Sequence, residues 1–179
     1  MRIIGGTYKG KQLLTPKNLP VRPTTDFAKE GLFNILNNRL DFEDLTVLDL
    51  FAGTGNISLE FASRGAARVY AVDKHTACVQ FIRDTAKQLK LGMVSPERAD
   101  VFKYLEKPFL AVDLVFADPP YELGNIPDIH QLVFANGWLK PGGMLIIEHG
   151  PKTKLDDKPH YTETRKYGNV HFSFFLMPD

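Results

Sequence analysis

The sequence predicts an α/β fold built on a seven-stranded, mostly parallel sheet. Between residues 47 and 148, short β-branched or aromatic runs alternate with amphipathic stretches, which is typical of βαβ units with right-handed crossovers. Nearer the C terminus, two β-rich runs at 161–167 and 170–176 are separated only by Gly168 and Asn169. This connection favours an antiparallel hairpin, which would complete the sheet at one edge.

The first helix is predicted to begin at Thr25 or Asp26, because either side chain can cap a helix. It continues through the stretch FAKEGLFNILNN. The apolar residues that recur at helical spacing and would form its buried stripe are Phe27, Leu32, Ile35 and Leu36.

Strands and helices then alternate strictly. Strands are predicted at 47–51, 68–72, 93–99, 112–117 and 144–148, and helices at 57–64, 76–89, 101–105 and 126–136. The segments IIGG and KQLLT near the N terminus are expected to pair as a further β-hairpin outside the sheet. We therefore expect residues 1–24 to form a basic arm that packs on a single domain spanning residues 25–179.

The composition favours a monomeric globular protein in the cytoplasm. With 179 residues, of which 44% are hydrophobic, the chain can bury a substantial core. Cys78 is the single cysteine, and its apolar neighbours indicate a core position. No apolar leader or membrane-length apolar stretch is found, so neither export nor membrane insertion is expected. The five histidines lack metal-ligand spacing, so no metal is predicted.

Basic residues are concentrated near the N terminus. The first 40 residues hold seven Lys or Arg and two Asp or Glu, although the whole chain has a formal net charge of only +1. Such an arm suits contact with the phosphates of a nucleic acid, whereas a solvated charged surface is the alternative interpretation. The candidate contacts in this arm are Arg2, Lys9, Lys11 and Arg22.

The stretch VLDLFAGTGNISLE has the pattern of a cofactor-binding loop between a strand and a helix. Gly53 and Gly55 stand where a bare backbone can approach a ligand closely. Ser58 replaces the third glycine of the dinucleotide fingerprint, and Asp49 lies in the strand just before the loop. An acid at that point disfavours a pyrophosphate and favours a ligand that carries a cationic amine.

Two further acids follow at offsets that suit a nucleoside. Asp73 ends the second strand 20 residues after Gly53, the offset at which an acid accepts hydrogen bonds from ribose hydroxyls. Asp100 follows the third strand and could accept the adenine amino group, with the Val101 amide on the ring. Taken alone, a GxG loop is more often a tight turn, and an Asp at the end of a strand is more often a helix cap. Together they predict S-adenosylmethionine as cofactor, with Phe51 and Lys74 as further contacts.

The stretch VDLVFADPPYE, residues 112–122, leads an apolar strand into an acid and two prolines. Pro119 and Pro120 cannot donate to a strand ladder, and their rings fix φ. The Asp118 carboxylate and the Pro119 carbonyl are thereby positioned to accept hydrogen bonds from the two N–H groups of an exocyclic base amine. That amine would attack the methyl group of a sulfonium. Tyr121 could stack on an extruded base. The alternative is a proline-stopped strand with Asp118 capping the next turn.

These motifs resemble class I methyltransferases, and more closely the bacterial family that methylates guanine N2 in small-subunit ribosomal RNA. RIIGGTYKGKQL resembles the basic arm of that family, RPTTDFAKEGLFNIL its helix, LDLFAGTGNISLE its cofactor loop and FADPPY its catalytic tetrapeptide. The sequence departs from the family at Phe27, where a basic residue is common, and at Lys29, where arginine is usual.

The resemblance implies a Rossmann-like fold and roles for individual residues. Asp49, Gly53 and Gly55 would hold the methionine end of the cofactor, while Asp73 and Asp100 would hold its nucleoside. The residues that would form the catalytic tetrapeptide at the target base are Asp118, Pro119, Pro120 and Tyr121, and those that would close over the site are Arg22, Thr24 and Thr25. For Arg22 and Thr24, a turn that caps the helix is the alternative.

Two other functions remain open on the sequence. A DNA adenine-N6 methyltransferase would share the DPPY motif, although no stretch is left over for a separate target-recognition domain. An RNA-binding assembly factor without catalytic activity could keep the fold. The presence of Asp118 and of the acids predicted to bind the cofactor disfavours this alternative. The expected partner is small-subunit ribosomal RNA, within an assembling or assembled subunit.

Overall fold

The computed structural model describes residues 1–21 and 24–179, so the predicted RNA contact Arg22 lies outside the described residues. The described chain forms seven strands and five helices. In chain order they are α1 (Asp26–Asn37), β1 (Thr46–Leu50), α2 (Asn56–Ser63), β2 (Arg68–Asp73), α3 (Thr76–Gln88), β3 (Val94–Arg98), α4 (Val101–Leu105), β4 (Val112–Ala117), α5 (Ile126–Ala135), β5 (Leu139–His149), β6 (Tyr161–Tyr167) and β7 (Val170–Leu176).

The strands form one sheet in the order β3-β2-β1-β4-β5-β7-β6. The first five of these are mutually parallel, whereas β7 pairs antiparallel with both β5 and β6. The predicted α/β class with a C-terminal antiparallel hairpin is therefore confirmed. From β1 the chain adds β2 and β3 on one side, and then returns to add β4 and β5 on the other side. Open α/β sheets bind ligands in the crevice at such a switch point between neighbouring strands, here β1 and β4.

Two hydrophobic clusters cover the two faces of the sheet. One contains buried side chains of α1, α2 and α3, and the other contains those of α4 and α5. Strand β4 contributes to both clusters, with Leu114 and Phe116 in the first and Val115 and Ala117 in the second. Burial on both faces explains why residues 114–117 of β4 are continuously apolar rather than alternating.

Helix α1 begins as predicted, and its buried face agrees with the prediction only in part. The Thr25 hydroxyl caps the helix by accepting the Ala28 N–H at 3.2 Å. Phe27 was expected in the core, yet it is 67% exposed, and Ile35 is only partly buried. Leu32 and Leu36 are buried as predicted, together with Ala28, Lys29 and Phe33.

Lys29 is buried because it forms an ion pair with Glu60 on α2. Its Nζ lies 2.9 Å from Glu60 Oε1 and donates hydrogen bonds to Asn56 and to the Arg2 carbonyl. Burial lowers the pKa of Lys29, while the Glu60 carboxylate opposes that shift. Glu60 also accepts the Ile4 N–H at 3.0 Å. This cluster holds the start of the chain against α1 and α2.

The N-terminal arm forms a short antiparallel pairing. Arg2 and Gln12 form a β-bridge, and the Leu13 N–H donates to the Met1 carbonyl at 2.8 Å. Ile3 and Leu13 are buried in the first hydrophobic cluster. Apolar side chains therefore anchor the arm, while Arg2, Lys9 and Lys11 on the same segment are exposed.

Strand β5 begins at Leu139, before the predicted start at residue 144. The intervening Lys-Pro-Gly-Gly run has no strand pattern, and the register of β5 against β4 shifts there. The Gly142 N–H and the Gly143 carbonyl are nevertheless bonded to Met177 beyond β7. Among the helices formed by the described residues, none combines the length and apolarity needed to cross a membrane.

Candidate active site

A cleft of about 670 Å³ lies beside the ends of the central parallel strands. Residues from β1 and from the segments that follow β1, β2, β3 and β4 line it, together with the segment before α1. The structure brings twelve of the predicted site residues to this cleft: Thr24, Asp49, Phe51, Gly53, Asp73, Lys74, Asp100, Val101, Asp118, Pro119, Pro120 and Tyr121. The predicted contacts outside its lining, among the described residues, are Arg2, Lys9, Lys11, Thr25 and Gly55.

The glycine loop after β1 is tightly folded, with positive φ at Phe51, Gly53 and Gly55. Gly53 lines the cleft, where a Cβ would lie 3.2 Å from Val21 Cγ1. Gly55 faces α3 instead, since a Cβ there would lie 2.9 Å from Ile82 Cγ1. Gly53 therefore borders the cleft, whereas Gly55 allows close packing of the loop against α3.

Asp73 connects the end of β2 to the glycine loop. Its Oδ2 accepts the Gly53 N–H at 2.9 Å, and its Oδ1 accepts the His75 N–H at 2.9 Å. A carboxylate has about four acceptor sites, so Asp73 can bond the loop and a ligand hydroxyl together. The sequence interpretation did not assign a role to His75, which also lines the cleft.

Asp49 is a buried acid at the wall of the cleft, only 1% exposed. Burial raises its pKa to about 7, with Asp73 and Glu148 adding to the shift and the Ser58 hydrogen bonds opposing it. The Ser58 hydroxyl donates to Asp49 Oδ2 at 2.5 Å. Ser58, at the position where a dinucleotide-binding loop carries glycine, therefore hydrogen-bonds the buried acid. A desolvated carboxylate of this kind favours a cationic ligand group.

One acid and two aromatic rings form a slot in the cleft. Asp100 and Phe102 come from the segment after β3, and Phe51 comes from the loop after β1. The Asp100 carboxylate caps α4 by accepting the Lys103 N–H at 3.1 Å. Phe102 and Phe51 meet edge to face with their ring centroids 6.2 Å apart. Both rings line the cleft beside Asp100 and Val101. The sequence interpretation assigned no role to Phe102.

One group of side chains in the described part of the chain could approach a metal ion. The ligand atoms of Asp73, His75 and Cys78 lie within 4.8 Å of one another. Both Asp73 oxygens already accept backbone N–H groups, and burial raises the pKa of the Cys78 thiol to about 11. A thiol must be deprotonated to bind a metal, so this group is a weak ligand set.

The DPPY segment begins where β4 leaves the sheet. β4 ends at Ala117, and the Asp118 N–H donates to the Leu50 carbonyl at 3.2 Å. Pro119 is buried, while Pro120 is exposed and its carbonyl accepts the Leu123 N–H at 3.0 Å. Described peptide bonds are all trans, including the Pro119–Pro120 bond. Asp118 is therefore fixed at the end of the sheet, next to the loop after β1.

Glu148 is the principal residue that the sequence interpretation missed. It stands near the end of β5, is 3% exposed, and accepts hydrogen bonds with both carboxylate oxygens. Thr24 Oγ1 donates to its Oε1 at 2.7 Å, and the Tyr121 hydroxyl donates to its Oε2 at 2.9 Å. The only signal in the sequence is an acid that ends the apolar run MLIIE.

Known proteins resemble this chain over nearly its whole length. The family model described as conserved hypothetical protein 95 matches residues 1–176. Ribosomal RNA small subunit methyltransferase D of Escherichia coli K12 is 32% identical over 159 residues, which are 89% of this chain and 79% of that protein.

Solved structures show the same architecture. The structure of yhhF from Escherichia coli is 28% identical, with a TM-score of 0.86 over 99% of this chain and 98% of that one. A T. thermophilus 16S rRNA N2 methyltransferase in complex with AdoMet and guanosine is 26% identical, with a TM-score of 0.70. That match covers 89% of this chain and 45% of the T. thermophilus chain.

Proposed function

Because this chain belongs to the conserved hypothetical protein 95 family, we propose that it transfers a methyl group from S-adenosylmethionine to the exocyclic N2 of a guanine in small-subunit ribosomal RNA. The observation that carries the proposal is the single cleft shared by Asp49, Asp73, Asp100 and Asp118. The name of the Escherichia coli relative and the guanosine bound to the T. thermophilus enzyme support both reaction and substrate class.

The side of the cleft nearest β1 and β2 fits S-adenosylmethionine. Buried Asp49, with its pKa raised to about 7, suits the cationic amine, and Gly53 with Phe51 forms the backbone surface for the methionine end. Asp73 is placed for the ribose, with Lys74 beside it. The cofactor, when bound, supplies a methyl group activated by its sulfonium.

The adenine position is the slot formed by the segment after β3. Asp100 can accept the amino group with its remaining acceptor capacity, since the cap of α4 occupies one oxygen. The Val101 backbone lies in the same lining, and the rings of Phe51 and Phe102 provide apolar contact for a flat base.

The DPPY segment is placed for the target base. An exocyclic amine is a weak nucleophile because its lone pair is delocalised into the ring. Acceptors at its two N–H bonds, the Asp118 carboxylate and the Pro119 carbonyl, favour the tetrahedral nitrogen and stabilise the positive charge that develops there. Tyr121 would stack on a base flipped out of the RNA. Its hydroxyl is held by Glu148, so the ring is oriented before the base arrives.

The exposed side chains of Arg2, Lys9 and Lys11 are proposed to contact RNA phosphates. Lys29 has no part in this contact, because it is buried in the pair with Glu60. Thr25 acts as the cap of α1, and Thr24 lies in the cleft. We further propose a cytoplasmic, metal-independent monomer that acts on ribosomal RNA within an assembling or assembled small subunit.

The proposal is tested by identifying the methylated nucleoside. The protein is incubated with methyl-labelled S-adenosylmethionine and, separately, with small ribosomal subunits, free 16S rRNA and duplex DNA. N2-methylguanosine in the ribosomal samples is the expected product. N6-methyladenine in DNA would instead favour a DNA adenine methyltransferase, and absence of transfer to every sample would favour a silent assembly factor.

A further inference from the structure

We propose that the groove between α1 and β6 binds an unpaired base of the same RNA, a few nucleotides from the guanine that enters the cleft. This inference rests on the proposed function. The groove encloses about 630 Å³ and is separate from the cleft. The lining residues that matter for the argument are Phe27, Glu30, Asn34, Asn38, Arg165 and Tyr167.

An aromatic pair lines the groove, with Phe27 exposed and Tyr167 partly buried. Phe27 is 67% exposed and meets Tyr167 edge to face, with the ring centroids 5.5 Å apart. Tyr167 can lie on α1 only because residue 31 is glycine, since a Cβ there would come within 2.2 Å of the tyrosine ring. The exposed Phe27 ring, supported by the partly buried Tyr167 ring, is a surface on which a base can stack.

The polar side chains of the groove suit the edge of a base. Asn34 on α1 and Asn38, which caps the C terminus of that helix, are exposed and four residues apart, and both line the groove. Glu30 lies one turn earlier on that face. Amide and carboxylate groups pair with the donors and acceptors of base edges, whereas a groove for phosphates alone would exclude a carboxylate.

Guanidinium groups stand at the β6 side of the groove. Arg39 and Arg165 both line it, and both are paired with Glu163. Arg165 is nearly half exposed despite that pairing. Two cations share one carboxylate at this side, which leaves one positive charge there for the phosphate next to a bound base, while the Glu30 carboxylate lies on the α1 side of the groove.

The groove lies near the cleft, because a residue that lines each of them falls in the short segment 24–27. Thr24 lines the cleft, Asp26 lies 3.6 Å from Arg2 of the basic arm, and Phe27 lines the groove. Residues 24 and 27 are at most about 11 Å apart along the chain. An RNA strand whose target base occupies the cleft can therefore reach the groove within a few nucleotides, which favours RNA over an unrelated protein as the occupant.

The first test uses Phe27→Ala, with Phe109→Ala as the matched control. Phe109 is 57% exposed and lines neither the cleft nor the groove. For whichever ribosomal sample the wild type methylates, Phe27→Ala should raise the KM for RNA at least about fivefold. Its kcat and its affinity for S-adenosylmethionine should stay within about twofold of the control. A KM equal to that of Phe109→Ala would overturn the inference while leaving the proposed function intact.

The second test identifies the occupant directly. A photoreactive amino acid replaces Asn34, and the protein is irradiated with small subunits or 16S rRNA. We expect a crosslink to RNA within a few nucleotides of the methylated guanine. A crosslink to a ribosomal protein, or to distant RNA only, would overturn the inference. If the wild type methylates no ribosomal RNA, the proposed function fails first, and this inference fails with it.

Discussion

The Tyr121 hydroxyl donates a hydrogen bond of 2.9 Å to Oε2 of Glu148, whose Oε1 accepts the Thr24 hydroxyl at 2.7 Å. One buried carboxylate thus joins the DPPY segment, the end of β5 and the segment before α1. The Tyr121 ring also lies against Gly150, where a Cβ would come within 2.9 Å of it. Glu148 therefore acts as a positioning residue that fixes the ring proposed to stack on the target base.

Replacing Glu148 with alanine should impair RNA methylation much more than cofactor binding. The variant leaves two hydroxyls without their acceptor, a cost of about 1–3 kcal/mol, which corresponds to a loss in kcat/KM of about 5- to 150-fold. Glu148→Gln keeps one acceptor oxygen and should recover part of the loss. Steady-state kinetics together with calorimetric titration of S-adenosylmethionine measure both effects. A wild-type kcat/KM in Glu148→Ala would contradict this role.

Affinity for S-adenosylmethionine should depend on pH through Asp49. Burial raises the pKa of Asp49 to about 7, so the carboxyl is largely neutral below that pH and ionised above it. Only the ionised form attracts a cationic amine, so affinity should rise about tenfold per unit as pH increases towards 7. It should level off there, before the ligand amine, with a pKa of about 7.7–8.0, loses its proton.

Isothermal titration of the wild type and Asp49→Asn across this range checks the prediction. The variant cannot titrate and should bind more weakly, with a flat profile below pH 7. An affinity of the wild type that does not change with pH would show that Asp49 does not hold the amine.

Neutralising the exposed lysines of the arm should weaken RNA binding and reduce its dependence on salt. Each phosphate contact contributes about 0.7–0.9 to the slope of log affinity against log salt, so Lys9→Ala with Lys11→Ala should reduce the slope by about 1.4–1.8. The matched control replaces Lys87 and Lys107, which are exposed and line neither the cleft nor the groove. Equal slopes for the two double variants would exclude the arm from phosphate contact.

The buried pair of Lys29 and Glu60 makes a prediction about stability. Lys29→Ala leaves the carboxylate of Glu60 in the core with Arg64 alone as cationic partner, and removing one member of a buried pair costs about 3–5 kcal/mol. Arg2→Ala, which breaks an exposed pair with Asp26, should cost at most about 1 kcal/mol. Urea unfolding measures the loss of stability in each variant. Equal free energies of unfolding for Lys29→Ala and Arg2→Ala would show that the buried pair contributes no more than the exposed one.

The sequence was most informative where proline, glycine and polar residues mark the ends of elements. The bounds of β4, α4, β6 and β7 agree with the prediction, because Asp100, the Asp-Pro-Pro run after residue 117 and the Gly168–Asn169 turn mark ends of these elements. On α1, prediction identified Leu32 and Leu36 but missed the burial of Lys29, because a lysine is expected at the surface unless the fold brings a partner such as Glu60 to it. Prediction failed for the start of β5 because Gly142 and Gly143 are held by Met177.

The same reasoning explains which site residues could be predicted. Asp49, Asp73 and Asp118 were identifiable because strand ends of a parallel sheet meet at one edge. Glu148 was not, because its use depends on hydroxyls from two other segments. Gly55 matched a local pattern, yet Ile82 from another helix determines what that glycine faces.

The most direct test of the account is methyl transfer by Asp118→Ala, measured in a single turnover with the ribosomal sample that the wild type modifies. S-adenosylmethionine binding, measured on the same preparation, shows that the cleft is intact. We expect cofactor affinity within about twofold of wild type and a rate of transfer reduced at least about 100-fold, since a preorganised acceptor is lost where charge develops. Transfer at the wild-type rate would contradict the assignment of DPPY as the catalytic segment.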